Sequence, residues 1–81
     1  MKSYKFKIVV GGVEIKSHDD LLFISDALYE AGCTDSHPES HGKSLHVRFD
    51  RLADSYDAAV SSAVRQIESI AKLSCASIQK S

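Results

Sequence analysis

The stretch from Phe49 to Ile70 constrains the fold more than any other. It reads as a buried strand that ends in a charged corner at Asp50-Arg51 and is followed by a capped amphipathic helix. At about 100° per residue, Tyr56, Val60, Ala63, Val64, Ile67, Ile70 and Ala71 fall on one side, with Arg65, Ser69 and Lys72 opposite. Ser55 is the natural N-cap, since its hydroxyl can accept an orphan N–H of the first turn. Asp54 can do the same one residue earlier, and Asp57 suits the positive end of the helix dipole. Glu68 and Lys72 make an i,i+4 pair in the favourable order. A helix with one apolar side needs an apolar surface to cover.

The rest of the chain supplies that surface. Tyr4, Phe6, Ile8 and Val10 alternate with Lys5, Lys7 and Val9, the pattern of a strand buried on one face. Gly11-Gly12 ends it, either as a hairpin turn into Val13-Glu14-Ile15 or, as we prefer, as a loop into a helix. Ser17 with Asp20 predicts the start of that helix, which runs to about Ala31 and stops at Gly32. Leu21, Ile24, Ala27, Leu28 and Ala31 form its inner face. Asp19, Phe23, Asp26 and Glu30 form an outward stripe flanked by Leu22 and Tyr29.

The polar segment from Cys33 to Lys43 holds the one proline and reads as a loop, or as a short irregular edge strand over 33–38 with a turn at His41-Gly42-Lys43. Leu45, Val47 and Phe49 then alternate with His46, Arg48 and Asp50. Ser74 to Gln79 is a weaker strand, with Ala76 and Ile78 inward and Cys75, Ser77 and Gln79 outward. The order is β-α-(β)-β-α-β. One sheet with both helices on a single side satisfies it, so the expected architecture is a single α+β domain over residues 1–81. It is a ferredoxin-like split βαβ in which 4–10 and 45–50 are central neighbours and the second strand is short or missing. A three-stranded βαβαβ sheet is the alternative.

Composition bounds the function. Hydrophobic content of 43% with 26% charged residues fits a folded protein, and no apolar run is long enough for a membrane span or a signal peptide. Cys33 and Cys75 are too few for a disulfide framework, so reduced thiols in a cytoplasm are expected. The net charge of −1 conceals a segregated layout. Residues 1–13 hold three lysines and no acid; residues 14–39 hold seven acids against Lys16; residues 40–81 hold six bases and four acids. Such polarity suits an electrostatically steered partner.

The segments Asp26-Ala27-Leu28-Tyr29-Glu30-Ala31-Gly32-Cys33-Thr34-Asp35 and Phe49-Asp50-Arg51, with Ser55 and Ala63-Val64-Arg65-Gln66-Ile67-Glu68, carry a resemblance. The chain resembles a small α/β module of bacterial and phage-associated proteins that often precedes a helix-turn-helix in regulators. The longer members continue into that DNA-binding segment, whereas this chain ends at Ser81. The resemblance implies a stand-alone regulatory or interaction module and brings no catalytic residues.

Cys33, His37 and His41 are spaced by four, near Asp35, Glu39 and His46, but the proline-broken loop gives them no fixed face and no paired CxxC spacing, so a solvated histidine loop is expected over a zinc site. Cys33 with His37 lacks an orienting group or an oxyanion site. Gly11-Gly12 lacks the rest of a phosphate loop. No catalytic, metal or cofactor site is therefore expected, and the chain reads as a non-enzyme.

For the helix stripe, the plain reading is a solvated face with Phe23 tucked under a loop. The sharper one is a protein-docking ridge of Asp19, Phe23, Asp26, Tyr29 and Glu30, since exposed aromatics among charges tend to mark contact surfaces. The expected function is a regulatory or inhibitory protein-interaction module, monomeric or homodimeric. One alternative is a phage-encoded, anti-CRISPR-like inhibitor whose carboxylates block a nucleic-acid-binding surface, although the near-neutral total is unlike a DNA mimic. The other is a nucleic-acid-binding module using Lys5, Lys7, His46 and Arg48 on the open sheet face. That face lacks aromatics for base stacking, so its contacts would be to the backbone.

Overall fold

A computed structural model describes residues 1–70 and 73–80. The elements are β1 (Lys2–Gly11), α1 (His18–Glu30), β2 (Ser36–His41), β3 (Ser44–Ala53), α2 (Tyr56–Glu68) and β4 (Ser74–Lys80). The strands form one sheet in the order β2-β3-β1-β4, with every neighbouring pair antiparallel. This element order and strand order are those of the ferredoxin-like split βαβ.

The alternating strands fix the register. Phe6 lies opposite Phe49, Ile8 opposite Val47 and Val10 opposite Leu45, so their side chains share one face. All six are buried there with Ile24 and Leu28 of α1 and Ala59, Ala63 and Ile67 of α2. The Phe6 and Phe49 rings stack at 5.2 Å, and Tyr56 sets its ring edge-on to Phe6 at 6.0 Å. The centre of α2's buried line is Ala59, Ala63 and Ile67; Val60 and Val64 sit half-buried on its flank. Alanine at the centre brings the helix axis close to the sheet.

The Gly11-Gly12 segment is a loop into α1, not a hairpin: Val13 to Ile15 forms no strand, and buried Ile15 donates its N–H to the Lys43 carbonyl at 2.9 Å. Three expectations are corrected. The second strand is a six-residue edge strand that starts at Ser36 rather than Cys33 and runs through His41. Pro38 is tolerated because the strand lies at the sheet edge. The turn into β3 is two residues, Gly42-Lys43, with Gly42 at φ 64°, the positive angle that tight hairpins require.

In β4, a bulge shifts the register between Val9 and Val10. Val9 faces Ser77 and Val10 faces Cys75, leaving Ala76 unpaired and exposed. Cys75 therefore packs against the core instead of pointing out. The third correction is at the end of α2. The helix closes at Glu68 with Ser69 as its cap, so Ile70 lies beyond it, while Ala71 and the expected Glu68–Lys72 pair lie outside the described residues. Glu68 accepts a 3.4 Å hydrogen bond from the Cys75 N–H.

Candidate docking face on the first helix

Helix α1 is pinned at both ends by local chemistry. Ser17 takes the extended N-cap conformation and its hydroxyl accepts from the Asp20 N–H at 3.4 Å, while the Asp20 carboxylate reaches back to the Lys16 N–H at 3.0 Å. At the other end the Gly32 N–H bonds to the Tyr29 carbonyl and the Cys33 N–H to the Leu28 carbonyl, a Schellman closure with Gly32 at φ 96°. A Cβ at Gly32 would stand 3.0 Å from the Gln66 amide nitrogen, so space as well as backbone angle favours glycine. Burial of Ile24 and Leu28 fixes the rotation of the helix about its axis.

That rotation turns Asp19, Leu22, Phe23, Asp26, Tyr29 and Glu30 outward together, and all six are exposed. Phe23 is 73% exposed, Tyr29 68% and Leu22 50%, so Phe23 is not tucked under a loop. Of the acids, Asp19 sits in the first turn, where the helix dipole favours a carboxylate, whereas Asp26 and Glu30 have no such support. Among the described residues, Asp19, Asp26 and Glu30 form no salt bridge. Glu30 sits in the last turn, where the dipole disfavours an anion and no basic residue compensates. Beside this face, between α1 and the end of α2, lies a hollow of about 170 Å³ with Phe23 and Asp20 among its lining residues.

The open sheet face lies on the other side of the molecule. The cross-strand register sets Lys7 opposite Arg48, Arg48 opposite His37, Val9 opposite His46, and Lys5 opposite Asp50. Lys5, Lys7, His46 and Arg48 are thus brought together as expected from their alternation. Asp50 accepts a hydrogen bond from the Ser3 hydroxyl. Two cations directly opposite, as Lys7 and Arg48 are, cost rather than add stability. The His46 ring stacks on His41 at 4.2 Å, and His41 Nε2 lies 3.5 Å from Glu39. Burial, then the nearby His41 and Lys7, push the His46 pKa down against the opposing pull of Glu39.

The loop histidines and Cys33 are not brought together. Cys33 lies in the core on the helix side, its thiol 3.5 Å from the Gln66 amide oxygen, whereas His37 and His41 face out from the sheet. Burial pushes the Cys33 thiol up, partly offset by Arg51. Among the described residues, no group of three or more histidine, cysteine, aspartate or glutamate side chains is gathered as a metal site.

Arg51 was the least expected feature. It occupies the inward parity of β3 and is only 8% exposed. Its guanidinium holds Asp35 through two 2.8 Å hydrogen bonds, donates to the Ser62 hydroxyl at 3.0 Å and lies 5.0 Å from the Phe49 ring centroid. That fork holds the Asp35 carboxyl below its usual range. The alternation Leu45, Val47, Phe49 extends to Arg51, so the signal was present; what the local pattern lacked was the distant partner Asp35. Likewise Val13 and Leu73 pack on or in the core without any periodic pattern around them.

No family model, curated protein or solved structure matches the chain.

Proposed function

We propose that this protein is a non-enzymatic interaction module, regulatory or inhibitory, that binds a partner protein through the outer face of α1. The observation that carries this reading is the outward grouping of Leu22, Phe23 and Tyr29 with Asp19, Asp26 and Glu30 on one rigid, doubly capped helix. Large apolar side chains held in water gain when a partner covers them, and aromatic anchors ringed by charge are the usual centres of protein contacts. The surplus of acid favours a partner with a cationic surface, including one that otherwise binds nucleic acid. Affinity capture from the source cells tests this reading. The wild-type chain is expected to retain a defined partner that the Phe23→Ser/Tyr29→Ser chain and the Asp19→Lys/Asp26→Lys/Glu30→Lys chain both lose. Equal retention by all three would overturn it.

The opposed Lys7 and Arg48 favour a second reading, nucleic-acid backbone contact through the open sheet face. It calls for a single-stranded oligonucleotide mobility shift that fades as salt rises and is lost in Lys7→Gln/Arg48→Gln. No shift at low salt removes it.

A further inference from the structure

The acidic ridge continues into the concave feature beside it. Val13, Ile24, Ile70 and Leu73 give the hollow between α1 and the end of α2 apolar walls; Phe23 and Glu14 line it as exposed side chains and Asp20 as a half-buried one. At about 170 Å³ it is close in size to a protein cavity of roughly 150 Å³ known to take a benzene ring, so it has room for one leucine- or phenylalanine-sized side chain. Asp20 is fixed by its bond to the Lys16 N–H, and Glu14 stands 4.0 Å from the Lys16 ammonium. Across residues 14–30, five acids face one lysine, so the surroundings of the hollow are strongly anionic.

We propose that the partner supplies a lysine- or arginine-bearing segment whose one central apolar side chain fills this hollow, with its cations over Glu14, Asp20 and the acids of α1. The inference rests on the α1 reading and adds to it the chemistry of what binds. An apolar anchor sunk in a pocket and ringed by complementary charge is how a small contact area acquires affinity, because the anchor is desolvated while the rim steers the approach. The open sheet face has a larger hollow of about 310 Å³, but Lys5, Arg48 and His37 line it with Asp50, a basic rim that does not suit a lysine- or arginine-bearing segment.

Selection from a random dodecapeptide display library against the immobilised full chain tests this. The enriched peptides are expected to share one large apolar residue flanked by lysine or arginine. Replacing that residue by serine, or using the Phe23→Ser or Glu14→Lys chain, should weaken binding tenfold or more. All three replacements lie on exposed side chains or in the peptide, and thermal melts verify that the chain stays folded. Enrichment of acidic or anchor-free peptides overturns the proposal. So does the absence of enrichment, including the case in which the chain sediments as a dimer sealed through Phe23 and a second copy is the true occupant. Peptides that depend on Tyr29 and Glu30 but not on Phe23 and Glu14 overturn the hollow while leaving the α1 reading standing. Peptides that depend on none of these four residues remove both.

Discussion

Arg51 shows what a single residue can do beneath a small sheet. A guanidinium on the apolar face is costly unless its donors are met, and here Asp35, Ser62 and the Phe49 ring meet them. The pair ties the loop after α1 to β3 and α2. Removing Asp35 leaves the cation buried alone. Asp35→Ala is therefore expected to lower the unfolding free energy by about 2–3 kcal/mol in urea titration, whereas a joint Asp35→Leu/Arg51→Met replacement should cost much less. The pH dependence has a definite sign. Because Arg51 lowers the Asp35 pKa in the folded chain, the pair's contribution is complete above the ordinary carboxylate value near 4 and is lost as pH falls through the lowered folded value. Asp35→Ala should remove that part of the acid limb.

At the scale of elements, the strands and helices differ in how plainly they were written. β1, β3 and α2 are legible because their apolar residues keep one period over several turns or pleats. β2 is legible only as one of two readings, a short edge strand or a loop, since Ser36 to His41 has no alternating apolar pattern and its bounds are set by the Gly42 turn and the neighbouring β3. The β4 bulge at Ala76 is equally hidden, because an extra unpaired residue follows from the register against β1 and not from the local pattern. For the candidate site, the exposed arc of α1 was readable from spacing, while the adjoining hollow was not. Val13 comes from the β1–α1 loop, Ile70 and Leu73 from the connection between α2 and β4, and only the fold brings them near Phe23.

Two predictions belong to elements. Phe23→Ser, Tyr29→Ser and Glu30→Lys each remove an exposed side chain from α1, so thermal melts should place them within about 0.5 kcal/mol of the wild type even where binding is lost. In the β2–β3 hairpin, His46 is held toward its neutral form by burial and by His41 and Lys7, with Glu39 opposing and Arg48 next in parity on its own strand. Its folded pKa lies below the unfolded value near 6.5, so stability is full above that pH and declines as pH falls below it. Melting temperatures between pH 8 and 5 should drop on the acid side, and His46→Phe should flatten the drop.

At the scale of the whole molecule, the sheet separates the outer face of α1 from the open strand face. The sheet leaves Lys5, Lys7 and Arg48, with Asp50 and Glu39 among them, on one side and the acids of α1 on the other, so a near-zero net charge coexists with an uneven charge layout. Among the described residues, no helix is long and apolar enough to cross a membrane. The most direct measurement is a position scan with a photoreactive benzoyl-phenylalanine placed in turn at Leu22, Phe23, Tyr29, Lys5 and Arg48 in living source cells. One discrete cross-linked partner is expected from the three α1 positions and none from the two sheet positions, and that product is expected to vanish in the Asp19→Lys/Asp26→Lys/Glu30→Lys chain. Cross-links that arise only from Lys5 and Arg48, or α1 products that persist after charge reversal, would contradict the α1 reading.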